Sequence, residues 1–264
     1  MAFSHKYFDL DLVCNTTNYY NEKDEPKMKF GKKQINADGS PRLRKIQAPV
    51  QFLKLWQRQI CYHLQRKELP DCMYGSIEGR NNIQNALQHL HGRFFLTINL
   101  KNFFTNITNT QIHKIFMELG YPWEKARILT KITTLKGSLP QGSPCSPVLA
   151  NFVFAKTALQ IQEFIRNRNI TFTTFLDDLT FSSSKDFKHL VPGILAIVRS
   201  NNFYPHHKKI HYRRKYCEVT GLIVGCSKLR LVPEMKKAAL ENPRVDAYAN
   251  TVKKQYGEHL MYLS

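Results

Sequence analysis

Two adjacent carboxylates, Asp177 and Asp178, stand between the β-prone runs 171–176 and 179–183 in the stretch TFTTFLDDLTFSSS. Phe, Thr and Leu favour extended backbone and Asp tolerates a tight turn, so the stretch predicts a hairpin with two acids at its tip. Like charges side by side repel, and a divalent cation relieves the repulsion. The pair therefore suits a hard, oxygen-seeking ion such as Mg²⁺. An ordinary solvated turn uses Asp in the same way, and the pair alone does not separate the two readings.

The elements that must carry this hairpin follow from periodicity. The run FFLTINL (94–100) predicts a buried strand ending near Asn99. Phe52, Leu53, Trp56, Ile60 and Leu64 recur at spacings of three and four, which predicts a helix over 52–66 with that stripe inward. A shorter helix is expected over 81–90, ended by Gly92. Thr108 or Asn109 caps a helix with Ile112, Ile115, Phe116 and Leu119 inward and Gly120 as its stop. Another helix spans 123–135. The turn-rich LPQGSPCSP (139–147) opens a long helix to about residue 166, with Ser146 as N-cap and Pro147 in its first turn. Beyond the acidic hairpin, 187–200 reads as a helix, 218–232 as a further hairpin and the last thirty residues or so as helical and basic.

Near the N-terminus, 30–49 predicts a hairpin turning at Asp38 and Gly39, with Lys32, Lys33, Arg42, Arg44 and Lys45 on its arms. Such a ribbon can close over phosphates, and it is also what a solvated ribbon looks like. Residues 1–30 show no period and no element is expected there. Helices and strands mix without a βαβα rhythm, which predicts an α+β fold with a mainly antiparallel sheet.

Lys and Arg number 39 against 20 acids, a net charge of +19. That excess predicts affinity for a polyanion, nucleic acid first and an anionic membrane second. The basic residues are spread along the chain, as on a charged surface rather than a disordered arm. Cys14, Cys61, Cys72, Cys145, Cys217 and Cys226 form no CxxC pair and no zinc spacing, which fits reduced thiols of a cytosolic protein. Residues 1–12 lack an apolar signal core, and no apolar run approaches the roughly 18 residues of a membrane span. A soluble cytoplasmic protein is expected, as one large domain or two closely associated subdomains.

The order of strand, Gly/Pro loop and double-Asp hairpin resembles the palm of a reverse transcriptase. INLKNFF (98–104) is similar to motif A of that family, LPQGSPCSPVLAN (139–151) to motif B and FLDD (175–178) to the YxDD of motif C. PHHKKI (205–210) sits where motif D carries a lysine, matching Lys209, and RKIQAP (44–49) resembles the R-x-I-x-x-P of the fingers. NALQH (85–89) and VTG (219–221) resemble the NAxxH and VTG elements of the retron branch.

The resemblance implies a right-hand polymerase fold with N-terminal region and fingers over 1–93, palm over 94–232 and a short helical thumb over 233–264. It implies an RNA-directed DNA polymerase of a bacterial antiviral system. The substrates implied are deoxynucleoside triphosphates and a structured noncoding RNA with its cDNA; the implied partner is a defence effector protein or a second polymerase copy. Asp177, Asp178 and the motif A position Asn99 would hold Mg²⁺ or Mn²⁺ for a two-metal nucleotidyl transfer, and Lys209 would protonate the leaving pyrophosphate. Arg44 would grip the triphosphate, Gln141 and Gly142 would pack on nucleotide and template, and Phe104 would exclude a ribose 2′-hydroxyl. Arg42, Lys45, Asn85, His89, Val219, Thr220 and Gly221 would bind the RNA.

The sequence departs from the family where it matters most. Motif A carries an Asp where this chain has Asn99, and often a second acid where it has Asn102. A neutral amide oxygen ligates weakly and supplies no charge against Mg²⁺. An inactivating substitution, a polymerase fold that no longer polymerises, and a substitute acid elsewhere are all open. A catalytically impaired subunit that binds and assembles RNA is therefore the alternative function. Phe175 replaces the usual Tyr, Leu176 replaces a smaller Ala, and the chain after Gly221 leaves room for only a short thumb.

Overall fold

The structure, a computed structural model, describes residues 19–225 and 227–256. Expectations for residues 1–18, Cys226 and 257–264 lie outside those residues. The described chain forms two compact units, one of 19–25, 44–69 and 102–155, the other of 26–43, 70–101 and the residues from 156 onward.

In the first unit, β1 (Tyr20–Pro26) pairs with β4 (Leu43–Pro49). No strand was expected at 20–26, because YNEKDEP lacks apolar alternation. The turn at Asp38 and Gly39, which belongs to the second unit, does form: the Asp38 carboxylate accepts from the Ser40 amide and hydroxyl, and Asn36 N–H donates to Ser40 O. The arm 43–49 nevertheless pairs with β1, while the short strands β2 (Met28–Lys29) and β3 (Lys32–Lys33) pair with each other. Helix α1 (Gln51–Leu64) buries Leu53, Gln57, Ile60 and Leu64. The expected stripe is thus shifted: Phe52 stays 47 % exposed, Trp56 is half-buried, and the polar Gln57 takes the inward place.

The helices α3 (Asn109–Glu118) and α4 (Trp123–Thr133) complete that unit. Thr108 caps α3 in a capping box with Gln111, which satisfies two of the amides a helix start leaves unpaired. The helix α5 (Ser146–Phe164) begins one residue earlier than expected: Ser146 is its first helical residue, and its hydroxyl donates to the Pro140 carbonyl.

The second unit is built on a four-stranded antiparallel sheet in the order β6-β7-β5-β8: β5 (Phe94–Lys101), β6 (Thr171–Phe175), β7 (Asp178–Ser183) and β8 (Tyr204–Arg214). Phe95, Leu96, Ile98 and Phe181 are almost fully buried, each worth roughly 1.5–3 kcal/mol of apolar burial. The segment expected as a helix over 187–200 opens with a 3₁₀ turn at 188–190 and continues as α6 (Val191–Ser200). The expected hairpin at 218–232 is a three-stranded meander, β9 (Cys217–Val219), β10 (Leu222–Gly225) and β11 (Lys228–Leu231). Its apolar face packs with α2 (Asn82–Leu87), α7 (Pro233–Ala239) and α8 (Pro243–Tyr256) around Ile83, Leu90, Phe95, Val219, Leu222, Met235 and Val252. Cys61, Cys72, Cys145 and Cys217 are free thiols, and burial pushes Cys72, Cys145 and Cys217 up to about 12. Among the described residues, no helix is long and apolar enough to cross a membrane.

Candidate active site

The acid pair closes the hairpin of β6 and β7. Phe175 pairs with Asp178, and Leu176 turns the chain with a φ of 56°, a left-handed conformation that a bulky residue adopts only under constraint. The Leu176 carbonyl accepts from the Thr174 hydroxyl, and the Asp177 carbonyl accepts from the Leu100 amide. Gly75 lies against this turn: a Cβ there would stand 2.8 Å from the Leu176 backbone nitrogen. The tip is thus held from two sides.

Across the sheet, Asn99 stands in register with Asp178. Its Nδ2 donates to Asp177 Oδ2 at 2.8 Å and to Asp178 Oδ1 at 2.7 Å. Its Oδ1 accepts from Lys209 Nζ at 3.0 Å. Carboxylates on one side and an ammonium on the other dictate that amide orientation. Lys209 reaches Asn99 through a bulge: Ile98 pairs with Ile210, then Leu100 pairs with Pro205, so residues 206–209 arch opposite Asn99.

Burial raises both carboxyls above their ordinary value. For Asp178 the neighbouring Asp177 charge adds to burial and carries it to about 6, while Asn99 and Lys209 pull the other way. The site therefore holds crowded negative charge only partly offset by one amide and one lysine. Two adjacent carboxylates suit a hard divalent ion, while Asn99 turns its Nδ2 toward them and its Oδ1 toward Lys209. Among the described residues, no third Asp, Glu, His or Cys joins them in a ligand cluster.

Asp178 borders a cleft of about 570 Å³ lined with it by Asn99, Lys209, His211, Arg213 and Thr220, with Lys29 and Gly221 also on its wall. The cleft is basic apart from Asp178 and Glu218, and Glu218 is paired with Lys29 at 3.2 Å. Asn99, Asp177, Asp178, Lys209, Thr220 and Gly221 are thus brought together. Arg42 lies in the same unit, its amide bonded to Gln34 O.

Arg44, Lys45, Phe104, Gln141 and Gly142 belong to the first unit. Arg44 and Lys45 project from β4 toward Glu25 and Glu22 at 4.0 and 3.2 Å. Phe104 is half-buried, edge-on to Phe103. Gln141 and Gly142 are exposed on their loop, where Gln141 O accepts from the Gln47 amide. Gly142 has a φ of +127°, and a Cβ would stand 2.8 Å from Gln47 O, so only glycine fits.

Three expected RNA contacts need correction. Asn85, His89 and Val219 are 1 %, 0 % and 1 % exposed. Side chains enclosed by protein do not reach an RNA, so these residues act inside the fold. Gln57 was missed as a site-supporting residue. Its Nε2 donates to the Tyr20 hydroxyl at 2.7 Å and Ile132 O at 2.8 Å, and its Oε1 accepts from Ser143 at 2.7 Å, next to Gly142. A glutamine inside an apolar stripe was the available signal.

Residues 30–224 match the reverse transcriptase (RNA-dependent DNA polymerase) family. The chain is 31 % identical to the retron Ec86 reverse transcriptase of Escherichia coli over 74 % of its own length and 63 % of that protein. It is 27 % identical to the retron Se72 reverse transcriptase of Salmonella heidelberg, over 88 % of this chain and 62 % of that one. The chain thus spans just over three fifths of the length of these two curated relatives. Among solved structures, telomerase of Candida albicans superposes with a TM-score of 0.56 at 11 % identity, covering 80 % of this chain and 46 % of that chain, a likeness of fold. The α+β sheet with its acidic hairpin is accordingly a polymerase fold, and the chain belongs to the reverse transcriptase (RNA-dependent DNA polymerase) family, in its retron type.

Proposed function

We propose that this chain is the polymerase core of a retron RNA-directed DNA polymerase, which copies a structured noncoding RNA into cDNA from deoxynucleoside triphosphates. The carrying observation is the acid pair, held at a braced hairpin tip in register with the motif A position and bordered by a basic cleft. Asp177 and Asp178 would hold Mg²⁺ or Mn²⁺, with the Asn99 carbonyl as a neutral third donor once its amide turns over. Such ions activate a primer 3′-hydroxyl and neutralise a triphosphate.

The chain's own residues divide the remaining work. Lys209, an exposed ammonium beside the acids, is positioned to deliver a proton to pyrophosphate. Arg44 suits bidentate contact with the triphosphate. Gln141 and Gly142 form the platform for nucleotide and template, and Phe104 screens the sugar 2′ position. Arg42, Lys45, Thr220 and Gly221 contact RNA. On this reading 1–93 includes the fingers, 94–232 is the palm and 233–264 a short thumb. The setting is the bacterial cytoplasm, in an antiviral system with an effector protein or a second polymerase copy; family resemblance supports that context.

A second reading, an RNA-binding subunit without chemistry of its own, is favoured by one observation. The Asn99 amide bridges both carboxylates and is itself held by Lys209, a closed arrangement that satisfies the acids with protein groups. Primer extension on an RNA template decides between the two. Extension by the chain or by Asn99→Asp, abolished in Asp177→Ala, supports the polymerase. Silence from both, with RNA binding intact, supports the binding subunit.

A further inference from the structure

His89 is fully buried, and its ring bridges the two legs of the acidic hairpin. Nδ1 lies 2.8 Å from Ser182 Oγ on β7, and Nε2 lies 2.7 Å from Thr173 Oγ1 on β6. Thr173 stands four residues before Asp177, and Ser182 four residues after Asp178. One ring thus grips both strands on a diagonal: Thr173 is level with Thr180, and Ser182, level with Thr171, lies two positions farther from the tip. A neutral imidazole offers one donor and one acceptor, and each hydroxyl can answer either, so both bonds form together. Burial keeps the ring neutral by carrying it down to about 3.

The helix that delivers His89 is anchored on its other side. Asn81 and Gln84 close a capping box at the start of α2. Asn82 Nδ2 donates to Thr220 O at 3.1 Å and to the Tyr248 hydroxyl at 2.7 Å, while the Thr220 hydroxyl donates to Asn82 O at 2.9 Å. Asn85 Nδ2 adds a longer contact of 3.4 Å to Thr220 Oγ1. Thr220 and Gly221 line the cleft that Asn99, Asp178 and Lys209 border. The elements at 85–89 and 219–221 therefore meet each other through α2.

We infer that His89 is a positioning residue of the acid pair: it fixes the spacing of the hairpin legs and, through α2, ties the Asp177 and Asp178 tip to the Thr220 turn. The consequence for ion binding rests on the polymerase reading above; the mechanical pin does not. A histidine that merely fills the core would make the same two bonds without setting the tip.

The test compares the full chain with Thr173→Val, Thr173→Ser, Ser182→Ala and His89→Phe. Backbone hydrogen exchange at 176–180 and Mn²⁺ affinity are measured in each. Thr173→Val keeps the side-chain shape and removes the hydroxyl. It is expected to speed tip exchange about tenfold relative to the rest of the sheet and to weaken Mn²⁺ binding, whereas Thr173→Ser stays near the parent. Unchanged tip exchange in Thr173→Val overturns the inference, and this pair decides even if His89→Phe does not fold. Failure of the polymerase reading looks different: Asn99→Asp is silent in primer extension while tip exchange still responds to Thr173→Val.

Discussion

At the residue scale, the site turns on one amide where the family has a carboxylate. Asn99 satisfies both acids at once, so Asn99→Asp exchanges two hydrogen bonds for a third negative charge in a crowded place. The expected result is a metal-free protein that melts lower than the parent at pH 7 and gains more from Mg²⁺. Primer extension should rise by roughly 10²–10³, the usual worth of a preorganised electrostatic group. A second prediction concerns pH. Because Asp178 is raised to about 6, the folded state binds protons more readily than the unfolded chain between about pH 4 and 6. Its contribution is therefore most favourable below the unfolded value and is lost as pH rises through about 6. Metal-free melting at pH 5 and pH 7, compared between the parent and Asp178→Asn, should show a loss toward pH 7 that the variant lacks. Adjacency in sequence made the acids legible. The role of Lys209 opposite Asn99 depends on a four-residue bulge that no local pattern announces.

At the element scale, two loops are aimed by buried polar groups that periodicity hides. Leu53, Ile60 and Leu64 were readable from their spacing, but Gln57 between them looks like an exposed position until its three partners are seen. Asn85 on a short helix and His89 in the turn just past its end likewise read as surface, although both are enclosed. Strand β1 escaped because charged residues pair by backbone alone, whereas the caps at Thr108 and the turn at Asp38 were legible because their side chains bond locally. Gln57→Leu leaves the Tyr20 hydroxyl, Ile132 O and Ser143 hydroxyl without their shared partner. Unfolding in urea should show a loss of about 2–4 kcal/mol, since each stranded buried group costs roughly 1–3. The nucleotide KM should rise more than kcat falls, because the loop bearing Gln141 and Gly142 loses its anchor. Gly75→Ala tests the acidic turn in the same way. Its Cβ meets backbone that cannot swing aside, so about 1–3 kcal/mol of stability is lost, with faster exchange at residues 176–178.

At the scale of the whole molecule, charge decides what the chain can hold before any chemistry begins. With 39 basic and 20 acidic residues, even complete pairing of every acid leaves 19 cations for a polyanion. Part of that excess is concentrated where chemistry is proposed, since Lys209 and Arg213, with the imidazole of His211 between them, recur on alternate positions of β8 along one wall of the cleft. Alternate residues of a strand share a face about 6.6–6.8 Å apart, so the three form a row that a sugar-phosphate strand can follow. Binding through such a row releases counterions, and log K falls with log salt by about 0.7 per phosphate neutralised on a single strand. Arg213→Ala should therefore reduce the slope of RNA binding by about 0.7 without altering sequence preference. Asp177→Ala removes a negative charge and no phosphate contact, so the slope should stay as in the parent even where extension is abolished. Fluorescence anisotropy with a labelled RNA across a salt series measures both. A slope unaffected by Arg213→Ala would remove β8 from the RNA path and return the cleft wall to ordinary solvated charge.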